Sequence, residues 1–314
     1  MFEHIGATRY ALWVLLLAMS ASGGPASAYE EFTVADGGTV SGRVTMVGKV
    51  PHPKGYNLTT LPDAVYCGRI SDGQGWRLMQ PFRIGLSGEF QEVVVYIESI
   101  ERGKPFPAFT APRIEAIDCR FLPFLSLVRD RHDVSVVNMD PAMHDIQAYE
   151  TSHLGPRVLF NLPLPISSRY PAQAQLSAQV SKHYEGTPVT GTVHMTKGRN
   201  MFVMQCGFHA YMESWGLVMD HPYYALTDSD GRFQLSDIPP GTYAVKIWHP
   251  YVREEIVQTV TVEPKGRATL NVNVPAPAGR LYANQMVENP YVRYQITGAE
   301  QTAIVPTLEK QTYQ

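Results

Sequence analysis

Long apolar runs are nearly absent from this chain of 314 residues, and after the first 28 none is long enough to span a bilayer as a helix. Charge of either sign in excess is also missing. The net charge of −3 gives no reason to expect nucleic acid or an anionic membrane surface as a partner. Sustained 3.6-residue periodicity is lacking too, which excludes a helical bundle. Several catalytic signatures are missing: no Gly-x-Ser-x-Gly, no His-Glu-x-x-His and no His-x-His or His-Cys-His cluster. Asp228-Ser-Asp-Gly231 is a turn and not a calcium loop, because its glycine comes too early and the closing glutamate is missing. Cysteine is scarce, at three residues, so a disulfide framework cannot hold the fold together.

What is present begins with a leader. Arg9 precedes the apolar run Ala11-Leu-Trp-Val-Leu-Leu-Leu-Ala-Met19, and Ala26-Ser-Ala28 offers a small-residue cleavage site. Residues 1–28 are therefore read as a signal peptide, and the mature chain from Tyr29 as extracytoplasmic, periplasmic if the cell has a periplasm. In an oxidising compartment two of three cysteines should pair. Cys206 sits in a metal-ligand context, which leaves Cys67 and Cys119 as the expected disulfide.

The remaining texture is all-β. Glycine and proline are abundant (25 and 24 residues), and short alternating runs lie between them. Gly38 to Gly48 alternates. Glu92-Val-Val-Val-Tyr-Ile97 is continuous and β-branched, as expected of a strand buried on both faces. Further strands are predicted at 134–136, 158–162, 200–205 and 215–219, with one short helical candidate from Ala174 to His183. From Asp220 the chain becomes a compact series of turns and strands, among them Arg232–Leu235, Tyr243–Trp248, 255–262 and 268–274, ending in a Pro/Ala linker at 275–279. The division expected from this pattern is a first domain over 29–219, a smaller sandwich over 220–275, and a linker and tail over 276–314.

Four side chains carry the chemistry. Cys206-Gly-Phe-His-Ala-Tyr-Met212 places a thiol, an imidazole and a thioether in one short loop after a strand, and Asn138-Met-Asp-Pro-Ala-Met-His144 ends in a second imidazole. Two imidazoles and a thiolate in a plane, with a weak axial thioether, make a mononuclear blue-copper site. The predicted ligands of one copper ion are His144, Cys206, His209 and Met212. His52, His132, His153, His183, His194, His221 and His249 show no such grouping, although His221 and His249 could form an accessory site. Phe208, Ala210 and Tyr211 would ring an exposed edge of His209 and offer a docking patch to a redox partner such as a c-type cytochrome.

These two segments resemble the copper-binding segments of cupredoxins, with loop spacing of the amicyanin type. Asp220 to Phe233, with Ile238-Pro-Pro-Gly-Thr-Tyr243 and Trp248-His249, resembles the carboxypeptidase regulatory-like module. Together they are similar to periplasmic proteins of the methylamine utilisation type. The resemblance implies a cupredoxin-like Greek-key sandwich followed by a transthyretin-like β-sandwich, His144, Cys206, His209 and Met212 as ligands, and a structural Cys67–Cys119 bond. It implies a periplasmic single-electron carrier and not an enzyme. The alternatives are a copper storage or delivery protein, or a non-metal scaffold. Two departures stand out. Asp145 follows the first histidine where cupredoxins commonly carry asparagine, and residues 163–197 form an excursion that could cover the site or meet a partner.

Overall fold

The computed structural model describes residues 29–50, 54–72, 74–79, 81–150, 156–252 and 254–277, together with the backbone of strands Tyr282–Glu288 and Thr302–Leu308. The leader, His52, His153 and most of the tail lie outside the described residues.

Two β-sandwiches hold nearly all of the strands. One is built from a four-stranded sheet (Arg120–Leu122, Arg113–Ile117, His132–Asn138, Val189–Val193, in that order). Facing it is a five-stranded sheet in the order Leu125–Val128, Glu213–Val218, Met201–Gln205, His144–Glu150, Arg157–Leu164. Alternation sets what each strand buries. Along His144–Glu150 every second residue is inside, so His144 shares its face with Ile146 and Ala148. These join Ile114, Val136, Phe202 and Met204 in one core that also contains Cys206 and Met212. The ligand-type residues thus belong to the core and not to the surface.

Glu150, at the far end of the same strand, has a fully covered carboxylate. It accepts from Arg157 at 2.7 Å and from the Thr196 amide at 2.7 Å, and pairs with Arg199. The Arg157 hydrogen bond first, and then the amide and Arg199, hold its pKa down at about 2 against an ordinary 4.5. A depressed carboxylate stabilises the fold above its unfolded pKa and loses that contribution as pH falls. Stability should therefore decline between about pH 4.5 and 2, and Glu150→Gln should flatten this part of the profile. Urea midpoints at neutral pH and at pH 3 check it; an unchanged slope in the variant would refute the assignment.

The second sandwich corrects the expected domain boundary. Its sheets run Tyr224–Leu226, Val94–Ile97, Gly241–Trp248, Ile256–Val262 and Arg232–Ile238, Gly38–Val47, Arg267–Thr269, with Val272–Pro275 also on Gly38–Val47. Two N-terminal strands complete a sandwich that residues 220–275 do not close alone. Val40, Val44, Val95 and Ile97 lie in one core with Phe233, Val245 and Val262. The sandwich that holds His144, Cys206, His209 and Met212 is therefore inserted into the second one, and not joined in front of it. Alternation at 38–48 signals a strand but not its partner, because pairing is decided by which buried faces match in three dimensions.

Val94–Ile97 is buried along its whole length, as its continuous apolar run predicts. Val95 and Ile97 face the second core. Val94 and Tyr96 turn to a third cluster with Leu125, Leu217 and Met219, which welds the two sandwiches together. The helix expected from Ala174 is only a 3-10 turn, Ala174–Leu176, entered through Gln173 in the left-handed region. A four-residue helix appears instead at Ala64–Cys67. The excursion after Pro163 ends in a strand, Val189–Val193, paired antiparallel to His132–Asn138.

Candidate metal centre

The loop is held by its own backbone. Strand Met201–Gln205 delivers Cys206, the Met212 amide donates to the His209 carbonyl at 2.8 Å, and the Cys206 amide donates to the Met212 carbonyl at 3.2 Å. The next residue, Glu213, starts the antiparallel return strand. At Gly207 an added Cβ would lie 2.4 Å from Gln147 Nε2 and 2.9 Å from Asp145 Oδ2, so any larger residue would displace the two side chains that brace the loop.

Three donor atoms converge. His144 Nδ1 and His209 Nδ1 are 3.2 Å apart, and Cys206 Sγ lies 3.9 Å from the first and 3.7 Å from the second. A point equidistant from all three lies about 2.1 Å from each, within the roughly 2.0–2.3 Å of metal–nitrogen and metal–sulfur bonds. The outer nitrogens fix the tautomers. His144 Nε2 donates to Asp140 Oδ2 at 3.0 Å and His209 Nε2 to the Pro62 carbonyl at 3.1 Å, so each Nδ1 turns a lone pair inward. Two lone pairs and a thiolate at this separation repel unless a proton or a cation lies among them. The residues present fit a trigonal, soft metal site.

The charges agree. In the metal-free site a proton takes that place: burial pushes the Cys206 thiol up, but sharing the proton with His144 and His209, and the Asp145 amide, bring it net down to about 7. Burial pushes His144 down, while Asp140 and Cys206 raise it net to about 9. Asp140, behind His144, gathers four hydrogen-bond donors. Besides His144 it accepts from the Tyr66 hydroxyl and from the Asp118 and Cys119 amides, each at 2.8 Å, without any exposed surface. Its carboxyl stays net below the usual range despite burial, chiefly through the His144 hydrogen bond. Asn138 shapes the turn that aims it, accepting from the Asp140 amide at 2.9 Å and donating to the Ala142 carbonyl at 3.0 Å.

Asp145 holds the cysteine loop. Its carboxylate accepts from the Gly207 amide, and from Gln147 Nε2 at 2.7 Å. This is the bracing expected of an asparagine there. The excursion packs on the Asp140 turn, through Tyr170 and His183 to the Met139 carbonyl and the Gly186 amide to the Asn138 carbonyl.

His209 is the main departure from expectation. It has no exposed surface, so the predicted accessible edge is closed. Over it lies a cap running from strand Lys54–Asn57 to strand Trp76–Met79, two strands that pair with each other. Pro62 caps Nε2, and Cys67 Sγ lies 3.7 Å from the same nitrogen. The Cys67–Cys119 disulfide is formed, and Cys206 remains a buried free thiol. Arg69 adds an ion pair to Asp118 and a hydrogen bond to the Val180 carbonyl. The docking trio splits accordingly: Phe208 and Ala210 are exposed, whereas Tyr211 is buried. Met212 is buried in the same core cluster as Cys206.

Sequence reasoning missed Asp140 and the cap. The only signal for Asp140 was an acidic residue in a turn four positions before His144, and acidic turn residues are usually solvated. His221 and His249 do not meet. His221 donates to the Ile97 carbonyl at 2.7 Å and His249 stacks on Phe82, each a buried structural histidine, and neither joins a ligand group among the described residues.

The fold and site together define an all-β, two-sandwich protein with a buried His2Cys centre. Residues 218–275 match the carboxypeptidase regulatory-like domain, which is the later part of the second sandwich. Among solved structures the chain is similar to amicyanin from Paracoccus versutus (14% identity, 40% of this chain and 97% of that one, TM-score 0.23). It is also similar to a purple cupredoxin from Nitrosopumilus maritimus (17%, 34% and 99%, TM-score 0.23). A third is dithionite-reduced auracyanin from Roseiflexus castenholzii (12%, 36% and 99%, TM-score 0.23). Scores this low add no weight, and the fold stands on the strand pairings above. Comparison with curated proteins gives no match.

Proposed function

We propose that this chain is an extracytoplasmic copper protein that carries single electrons between redox partners. The observation that carries the reading is the triangle formed by His144 Nδ1, His209 Nδ1 and Cys206 Sγ. Copper bound there would supply a one-electron couple with one thiolate and two imidazole donors. The chain's own contribution is rigidity. Asp140 and Pro62 fix the two rings, Asp145 and Gly207 fix the loop, and the core fixes Met212, the proposed axial donor. Ligands that cannot move keep the reorganisation on oxidation small. The cap excludes water from His209. A disulfide and the leader both suit an oxidising compartment, and no described helix is long and apolar enough to cross a membrane.

Closure also favours carriage over delivery, because a donor of copper must open its site to hand the ion on. Exposed Phe208 and Ala210, with Met143 exposed beside His144, are the proposed contact for a partner such as a c-type cytochrome. One equivalent of Cu(II) added to residues 29–314 should give an intense visible thiolate band, and Cys206→Ser should abolish it with the fold retained. A colourless protein that holds only Cu(I) would point to storage or delivery instead. Met212→Leu should keep the band and raise the reduction potential, since removing an axial donor disfavours Cu(II) more than Cu(I); an unchanged potential would remove Met212 from the ligand set.

A further inference from the structure

A pocket of about 220 Å³ opens between the cap and the loop returning from the metal site. Tyr211, Met212 and Glu213 form one side of it, while none of His144, Cys206 and His209 borders it. Three arginines reach it from three separate strands: Arg77, Arg83 and Arg120. With His209 covered, Met212 is the ligand-set residue that this water-accessible space touches.

The bland reading is a surface crevice whose arginines serve local ion pairs. Arg83 does pair with Glu92 at 3.1 Å, and Arg120 lies 3.8 Å from Asp118. The guanidinium of Arg83 and that of Arg120 each carry five N–H donors, however, and one carboxylate on the rim leaves several unused. Both side chains remain about half exposed and able to turn inward. The Tyr211 hydroxyl is the second observation. It is buried in the pocket wall and has no hydrogen-bond partner, a state that buried hydroxyls rarely tolerate. The Arg77 guanidinium sits 6.0 Å from the Tyr211 ring centre, on the same wall. Glu213, which accepts from the Tyr251 hydroxyl, keeps its negative charge, and the three guanidinium charges outweigh it. Planar forks of N–H donors match planar carboxylates.

We propose that this pocket binds the carboxylate of a small organic acid, held by Arg77, Arg83 and Arg120 with the Tyr211 hydroxyl, beside Met212. This goes beyond the electron-carrier reading and does not need copper. The test is titration calorimetry of the metal-free protein with malonate at low ionic strength. Saturable binding is expected, weakened about tenfold or more in Arg83→Gln/Arg120→Gln. It should weaken also in Tyr211→Phe, which keeps the ring, with thermal unfolding showing both variants folded. No saturable heat, equal affinity in the variants, or equally tight chloride binding would each overturn the proposal. A protein that binds malonate but no copper keeps this site and loses the copper reading; a blue protein indifferent to malonate does the reverse.

Discussion

Replacing Cys67 and Cys119 together by serine is expected to speed loss of the copper proposed for this site to a chelator at least about tenfold. The bond closes a loop with a sequence separation of 52, for which chain entropy gives about 4 kcal/mol of stabilisation. That stabilisation falls on the cap. Other ties are the Tyr66–Asp140 hydrogen bond, the contacts of buried Arg69, and the packing of Leu58 and Tyr66 in the core. Once the cap opens, the hydrogen bond from His209 Nε2 to Pro62 goes with it, and solvent reaches a ligand that is otherwise sealed. The measurement is the rate of copper transfer to a coloured chelator, compared at a temperature where wild type and variant are both folded. Equal rates would mean that the cap does not gate the site. An independent check needs no cysteine change. Arg69→Gln leaves the disulfide intact, loosens the same segment, and should accelerate release by a smaller factor.

The second large effect belongs to Asp140. Substitution by asparagine keeps the shape but removes a negative charge that four donors share. One oxygen of the amide could still accept from His144, but its NH2 would then face the Tyr66 hydroxyl and a backbone N–H. Carboxylates behind a ligating histidine typically contribute 10–100-fold in metal affinity, and a loss of about that size is expected. Breaking a buried charge network also costs about 3–5 kcal/mol, so the unfolding midpoint should fall as well. Copper competition and the EPR hyperfine pattern separate the two effects. A merely destabilised protein would keep the wild-type spectrum, whereas a mis-aimed His144 would change it. An unaltered spectrum and affinity would show that Asp140 only packs.

Much of the centre was legible before any coordinates. Cys206, His209 and Met212 are local, and a strand ending at Gln205 must deliver them to one place. His144 joins them through its residue type and the strand predicted just before it at 134–136; the strand that carries it, His144–Glu150, and the face it shares with Ile146 and Ala148 are findings of the structure. The disulfide followed from compartment and from counting thiols. The long run at 93–97 announced its double burial through β-branched residues at every position but the aromatic Tyr96. Each of these signals is carried by a few consecutive residues.

The sequence by itself determined the all-β class, many of the strands and the candidate ligand residues, because alternation and turn chemistry act over short distances along the chain. Only the tertiary structure decided which strands pair, and it gave Gly38–Val47 and Val94–Ile97 to the second sandwich across more than a hundred residues of intervening chain. It also decided that His209 is covered rather than exposed, and that Asp140 stands behind His144. Partner choice, cover and second-shell contacts arise from matching buried faces and satisfying buried polar atoms in three dimensions. No spacing along the chain encodes them.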